Sequence, residues 1–392
     1  MTAKNQSKSQ VKPFTISIPQ SALDDLQERL KRTRWPDEVP ESGWTMGTNL
    51  AYMKKLVDYW QNKYDWKKHE AELNRLNHFT AEVNGINVHF IHERGKGPNP
   101  TPLLLLHGWP DSFYRYHKVI PMLTDPASFG GDANQSFDVI VPSIPEFGFS
   151  ERKALGTDAN GDLFAKLMTD ILGYQTFVTA GGDVGSPISM SLALNHADIL
   201  TGIHLTDVGY PDQTTDVSTL TPPEQKFATF IQGWWMKEGA YNIIQSTKPL
   251  SLAYGVNDSP VGLAAWIMNF ICIAATGEEI EKRFSRDELL TNIMIYWLTE
   301  TIGSSFRIYY EIAHAAPSPN AGQRSDVPAA VTSCPWDAPL PREWAERKVN
   351  LQHFTEFPRG GHFIAWEEPE LYAKDIQDFV RQLTDESSKV IA

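Results

Sequence analysis

The stretch Thr179-Ala180-Gly181-Gly182-Asp183-Val184-Gly185-Ser186 (TAGGDVGS) follows the apolar pair Phe177-Val178 and precedes the run PISMSLAL. A short strand, a turn of small residues and then a helix is the layout of a nucleophile elbow, whose usual sequence is G-x-S-x-G. Glycines flank such a turn because its central residue sits in strained backbone and the chain passes close to its neighbours. Here the central residue is Asp183 rather than Ser or Cys. A carboxylate in that place is suited to direct displacement at an electrophilic carbon, which leaves an alkyl ester. The same residues also describe a glycine-rich turn whose Asp merely caps the next helix. The rest of the chain has to decide.

Working outward, the apolar runs Leu103–Leu106, Phe137–Val141 and Phe177–Thr179 are separated by helical patterns. That alternation predicts βαβ units and a mostly parallel sheet covered on both faces. Upstream, HFTAEVNGINVHFIH places Asn84-Gly85 between two alternating runs, a hairpin signal. Residues 1–76 read as helical and rich in tryptophan. Ser21 with Asp24 predicts a capping box, Leu23, Leu26 and Leu30 share one helix face, and Leu50, Met53, Leu56 and Trp60 mark a second amphipathic segment. From about Tyr210 to Pro317 the sheet signal vanishes into apolar helical segments, ending in the Pro/Gly/Ser-rich APSPNAGQRSD. Strands return at Val327–Val331 and Val349–Phe354, and a final helix is expected from about Glu370 to Leu383. The expected organisation is an N-terminal extension over 1–76 packing on the core and a first part of the sheet domain over 77–210. A helical lid follows over 211–318, inserted after about the sixth strand, and the sheet domain is completed over 319–392.

Bulk composition narrows the function classes. The 392 residues carry 35 basic and 48 acidic side chains, a formal charge of -13, and no Lys/Arg run. That balance argues against nucleic-acid binding. Two cysteines, Cys272 and Cys334, cannot build a disulfide framework, and nothing pairs them with His at metal spacing. The polar N-terminus lacks the apolar centre of a signal peptide. The longest apolar run, Val261 to Ala275, is interrupted by Asn269 and falls short of the ~20 residues that a membrane span needs. A cytoplasmic protein with no membrane partner is the expectation.

Two further motifs bear on Asp183. LLLLHGWPDS delivers His107-Gly108-Trp109-Pro110 at the C-terminal end of a buried strand, where open α/β sheets build their sites. A loop in that place donates a backbone N–H to an oxyanion hole, here from Trp109, and the residue after the nucleophile, Val184, donates the second. His107 itself reads as structural. Near the C-terminus, FPRGGHFIAWEEP puts His362 after Gly360-Gly361 and beyond a predicted strand. The chain order nucleophile, acid, histidine fits it, with His314 and His353 as the alternatives. For the acid, Asp337 in VTSCPWDAPLP lies just beyond the strand Val327–Val331. Asp326 precedes that strand and would face the wrong end of the sheet, while Glu343 and Glu346 read as a solvated helix face. G-x-S-x-G, H-E-x-x-H, P-loop and dinucleotide-binding motifs are all missing from the sequence.

Together HGWP, PSIPEFGFS, GGDVG and GGHFIAWEEP resemble the epoxide hydrolases of the α/β-hydrolase superfamily. The likeness is to the microsomal-type branch with its N-terminal extension, but without a membrane anchor, and runs from about Pro13 to Phe379. It implies an α/β-hydrolase fold and no cofactor or metal. It further implies Asp183 as nucleophile, His362 as water-activating base and Asp337 as charge-relay acid. Tyr241 and Tyr309, in a helical lid, match the family's two tyrosines that donate to the epoxide oxygen, with Tyr310 adjacent. The implied partners are a small-molecule epoxide and water; whether the aromatic lid pairs subunits of a homodimer is left open. Val184, Asp111 and Glu146 depart from the family's usual Trp, Gly and Gly, changes that bear on pocket shape. Two alternatives stand beside this reading. A haloalkane dehalogenase would share Asp183, Asp337 and His362, with Trp109 as a halide-binding group. A non-catalytic binding protein could retain the fold.

Overall fold

The computed structural model describes residues 10–212, 214–274, 277–316, 319–320 and 322–391. The expected boundary between 318 and 319 lies partly outside the described residues. Among those described, nine strands form one sheet: β1 (Lys12–Pro13), β2 (His78–Val83), β3 (Ile86–Glu93), β4 (Thr101–Leu106), β5 (Phe137–Pro142), β6 (Phe177–Gly181), β7 (Leu200–Leu205), β8 (Ser325–Ser333) and β9 (Val349–Glu356). Their order is β1-β2-β3-β5-β4-β6-β7-β8-β9. The pairs from β1 to β5 through β2 and β3 are antiparallel, and all the rest are parallel. Leu103 to Leu106 are wholly buried because both faces of the parallel part are covered. The β2–β3 hairpin turns at Asn84 and Gly85, with φ 53° and 77°, the left-handed pair that a two-residue hairpin requires.

Several expectations are corrected. The first helix runs Gln20–Lys31 with Pro19 at its N-cap, so Ser21 lies inside it and the Ser21/Asp24 capping box does not form. Proline's fixed φ of -67° starts the helix earlier than the Ser would have. Two strands escaped the sequence reading. β1 is only two residues long, and β7 is LTGIHL, whose Thr201 and Gly202 break the apolar run. Gly202 has a packing reason: a Cβ there would stand 2.8 Å from Leu383 and 3.0 Å from Phe379 of the C-terminal helix. That helix, Pro369–Ile391, is longer than expected, since no Gly or Pro stops it after Leu383.

The N-terminal segment packs on helices inserted between β7 and β8. Thr48 donates to the carbonyl of Ala265 (2.6 Å), and Tyr59 donates to Asp287 (2.9 Å). Tyr64 shares a hydrogen bond with Thr291 (3.0 Å). The partner helices are Pro260–Ala274, buried along most of its length, and Arg286–Thr299. No helix among the described residues is long and apolar enough to cross a membrane.

The C-terminal helix is tied to the sheet by one carboxylate. Asp375 accepts from His204 (2.8 Å), His353 (2.9 Å) and Thr355 (2.6 Å). His353, an alternative base on sequence grounds, is thereby a structural residue. Burial opposes ionisation of Asp375, but the hydrogen bonds from His204 and His353 outweigh it and hold its carboxyl far below the usual range. A depressed carboxyl stabilises the fold above its unfolded pKa of about 3.9 and ceases to do so as pH falls through its folded value. Asp375→Asn is expected to cost about 1.5–3 kcal/mol at neutral pH. Urea unfolding should show this gap closing as the solution is acidified below about pH 4.

Candidate active site

The β6-to-helix turn forms as the small residues demand. Asp183 has φ 53°, left-handed for a non-glycine, a conformation that costs on the order of 1–3 kcal/mol and persists where surroundings over-determine it. Those surroundings are tight. A Cβ on Gly108 would fall 2.3 Å from Asp183 Oδ1, and one on Gly185 would fall 2.1 Å from the Leu106 carbonyl oxygen. Helix Gly185–Asn195 then leads away from the turn. The capping alternative is not what forms. Asp183 Oδ1 accepts the N–H of Trp109 (2.8 Å) and of its own neighbour Val184 (2.7 Å), while Oδ2 faces His362 Nε2 at 3.2 Å.

His362 completes a line of three groups. Its Nδ1 is 3.0 Å from Asp337 Oδ2, and Asp337 Oδ1 accepts the N–H of Ala338 (2.7 Å). Trp336 N–H donates to the Gly360 carbonyl (3.2 Å), tying the loop of the acid to that of the histidine. The His362 N–H donates to the Ala274 carbonyl (2.8 Å) at the end of helix Pro260–Ala274. Burial alone would lower the imidazole pKa, but the Asp337 and Asp183 carboxylates hold it well above the ordinary value. Burial likewise opposes ionisation of Asp183. The hydrogen bond and charge of His362, with the two backbone N–H groups, keep its carboxyl below the usual range. Both shifts act toward a carboxylate–imidazolium pair.

The two tyrosines lie above this line. Tyr241, on helix Ala240–Thr247, stacks on Trp109 with ring centroids 5.6 Å apart and planes 7° apart. Tyr309, on helix Arg307–His314, meets Trp109 edge-on at 6.0 Å and Tyr241 at 6.1 Å. Burial first, and the Asp183 carboxylate second, raise both phenols well above their ordinary pKa, so both are protonated at neutral pH. Tyr310 instead is exposed and stacks on His314, whose Nδ1 donates to its carbonyl. Tyr254 is exposed, and Tyr296 is buried with its hydroxyl on the Asp111 carbonyl (2.5 Å). Asp183, His362, Tyr241 and Tyr309 open onto a cavity of about 980 Å³ that is mainly apolar, with Trp234 and Phe270 in its walls.

His107 is structural, as expected: wholly buried, it donates from Nδ1 to the Gly108 carbonyl (3.0 Å) and accepts at Nε2 from Ile144 N–H (3.1 Å). The roles of other groups escaped the sequence reading. Asp111, noted there only as a departure bearing on pocket shape, is wholly buried away from the cavity. It accepts from Gly108 N–H (2.8 Å) and from Arg115 (2.6 Å), and Arg115 donates onward to the His362 carbonyl (2.7 Å). The i,i+4 spacing of Asp111 and Arg115 was the available signal. Asp207 lines the cavity with Oδ2 unpartnered, and burial pushes its pKa up to about 6. It follows the missed strand β7, which left it no anchor in the sequence. Glu367 accepts the N–H groups of Gly361 and Phe363, and burial lifts its pKa to about 7.

Family models, curated relatives and solved structures match most of the chain. The family described as "Epoxide hydrolase N terminus" matches residues 11–116, and that described as "alpha/beta hydrolase fold" matches residues 101–294. "Epoxide hydrolase 1" of Sus scrofa is 36% identical over 410 residues, covering 94% of this chain and 88% of its own. The crystal structure of juvenile hormone epoxide hydrolase from the silkworm Bombyx mori superposes with a TM-score of 0.87 at 27% identity, covering 98% of this chain and 97% of that one. Aspergillus niger epoxide hydrolase gives 0.83 at 26%, covering 97% and 99%.

The charge arrangement makes a prediction for His362. An opposite charge at this range moves a pKa by about 1–3 pH units. Asp337→Asn should therefore lower the His362 pKa by about that much, read from the ¹³C-labelled imidazole by NMR. An unchanged titration would mean that Asp337 does not act on the ring.

Proposed function

This chain belongs to the epoxide hydrolases of the α/β-hydrolase fold, and we propose that it converts epoxide and water to a vicinal diol through a covalent ester on Asp183. The observation that carries this reading is the asymmetry of the Asp183 carboxylate. Oδ1 sits on the N–H groups of Trp109 and Val184, Oδ2 faces His362, and the residue lines the cavity. In the first step Oδ2 attacks a ring carbon, the C–O bond of the epoxide breaks, and Tyr241 and Tyr309 supply a proton to the alkoxide. Esterification removes the charge of Asp183, so His362 loses one of the two carboxylates that kept it protonated. The proton it then gives up replaces the one the tyrosines donated, and the half-reaction balances. His362, now neutral and oriented by Asp337, takes a proton from water as that water attacks the Asp183 carboxyl carbon. The oxyanion forms on Oδ1, already between its two donors, an arrangement whose loss typically costs ~10²–10³ in rate. Collapse releases the diol and restores carboxylate and imidazolium.

On this reading the helices within 211–318 act as the lid that brings the tyrosines, residues 1–76 are an extension packing on it and on the core, and 77–210 with 319–392 form the core. The substrate is a small-molecule epoxide that suits a mainly apolar cavity. The names of the relatives decide against the dehalogenase and binding-protein alternatives.

Two experiments test the mechanism. His362→Gln should stall after the first step, so intact-protein mass rises by one substrate mass on mixing with a terminal epoxide; normal turnover by this variant would sink the assignment. The double change Tyr241→Phe with Tyr309→Phe should slow ester formation by about 10²–10⁴, the worth of general-acid assistance. Either single change should cost much less, and the melting temperature should hold because the ring volume is kept. Wild-type alkylation by the double variant would remove the tyrosines from the reaction.

A further inference from the structure

Glu146 lies in the PSIPEFGFS loop after β5, and its conformation is unusual on three counts. Its φ is 84°, a region that favours glycine. Its side chain is 1% exposed, yet Oε1 has no hydrogen-bond partner. Oε2 pairs with the Nε of Arg307, the first residue of the helix that carries Tyr309. Next to that contact, Ser304 donates its hydroxyl to the Glu146 carbonyl (2.6 Å). The base of the loop is fixed to the other side of the site: Ile144 N–H donates to His107, and the Phe147 ring meets the His107 ring edge-on at 5.1 Å. His107 immediately precedes the loop that presents Trp109. Through Glu146, the segment holding the Asp183 carboxylate is joined to the helix holding a phenol.

We infer that Glu146 is a positioning residue for Tyr309, clasping the helix Arg307–His314 through Arg307 and releasing it when the carboxyl takes up a proton. The inference rests on the role proposed above for Tyr309. A clasp of this kind accounts for what a glycine would have avoided, a strained backbone and a carboxyl with one oxygen buried and unpaired. The charged groups that face Glu146 are Arg307 and Glu311 of the tyrosine helix and Arg152 of its own loop; Ser304 is the polar neighbour from the short helix Ile302–Ser305. Burial outweighs the attraction of Arg307 and lifts the carboxyl to about 7, so the clasp changes state near neutral pH. The sign follows from the raised value. The folded protein binds this proton more tightly than the unfolded chain does, so the ionised clasp weakens the fold above about pH 7, and that weakening disappears below the usual carboxylate range.

The test is single-turnover ester formation on a terminal epoxide between about pH 6 and about pH 8.5, alongside thermal unfolding. Wild type should lose roughly tenfold in alkylation rate as pH falls through about 7, well within the ~10² that a misplacement of about 1 Å costs. Glu146→Gln should run at the low rate throughout, without the acid limb, while its melting temperature at high pH rises because the buried charge is gone. Arg307→Gln, on a side chain nearly half exposed, should flatten the limb in the same way and carries the test if the Glu146 variant does not fold. A residue of structural value alone would lose rate and melting temperature together. An acid limb that persists at the same midpoint in both variants overturns the inference and passes the limb to Glu367 or Asp207. Failure of wild type to form any ester at any pH is a separate result, which would remove the Asp183 mechanism and this inference with it.

Discussion

Three segments of chain meet at the guanidinium of Arg115. It binds the Asp111 carboxylate of the loop after β4 and the carbonyl of His362 from the loop after β9. A Cβ on Gly182, beside the elbow, would stand 2.7 Å from its Nη2. The charge is wholly buried, so its pairing must be good. Removing one partner of such a pair typically costs about 3–5 kcal/mol because the other is left uncompensated. The arrangement does more than neutralise a charge. Asp111 also accepts from Gly108 N–H, so one ion pair sets the position of the Trp109 donor relative to the His362 ring. Asp183 then needs only its own left-handed turn to fall between them.

In the mechanism proposed above, charge within the site is organised so that each step prepares the next. Two carboxylates flank one imidazole, which explains why the ring is held protonated despite burial. On that proposal, neutralising one carboxylate by esterification alters the basicity of the histidine without any movement of the protein. Both phenols are kept protonated by the same burial and by the same Asp183 charge that they stand over. Preorganised groups of this sort are effective because the cavity that excludes water also strengthens their fields.

The features legible in the sequence were those that depend on neighbours along the chain. The elbow at Asp183, the Asn84-Gly85 hairpin and the buried run Leu103–Leu106 are each written in a few consecutive residues. Asp337 and His362 were found because each follows a recognisable strand; the structure sets them 3.0 Å apart, which no spacing could have stated. Choosing Tyr241 and Tyr309 among the insertion's tyrosines took the family resemblance, since helical periodicity alone does not say which face meets Trp109. Strand β7 was lost because Gly202, needed for packing against Leu383 and Phe379, dilutes its apolar pattern. With it went Asp207. Glu146 was noticed only as a departure; its meaning lies in Arg307, 161 positions away.

The contact between Thr48 and Ala265 has a practical side. Helix Pro260–Ala274 is held at that point by the N-terminal segment, and its last turn receives the His362 N–H at Ala274. The N-terminal segment around Thr48 therefore braces, through one helix, the loop on which the histidine rides. Anyone trimming this chain for expression, or exchanging its leading segment with that of a relative, would be editing the scaffolding of the reaction centre from its far side.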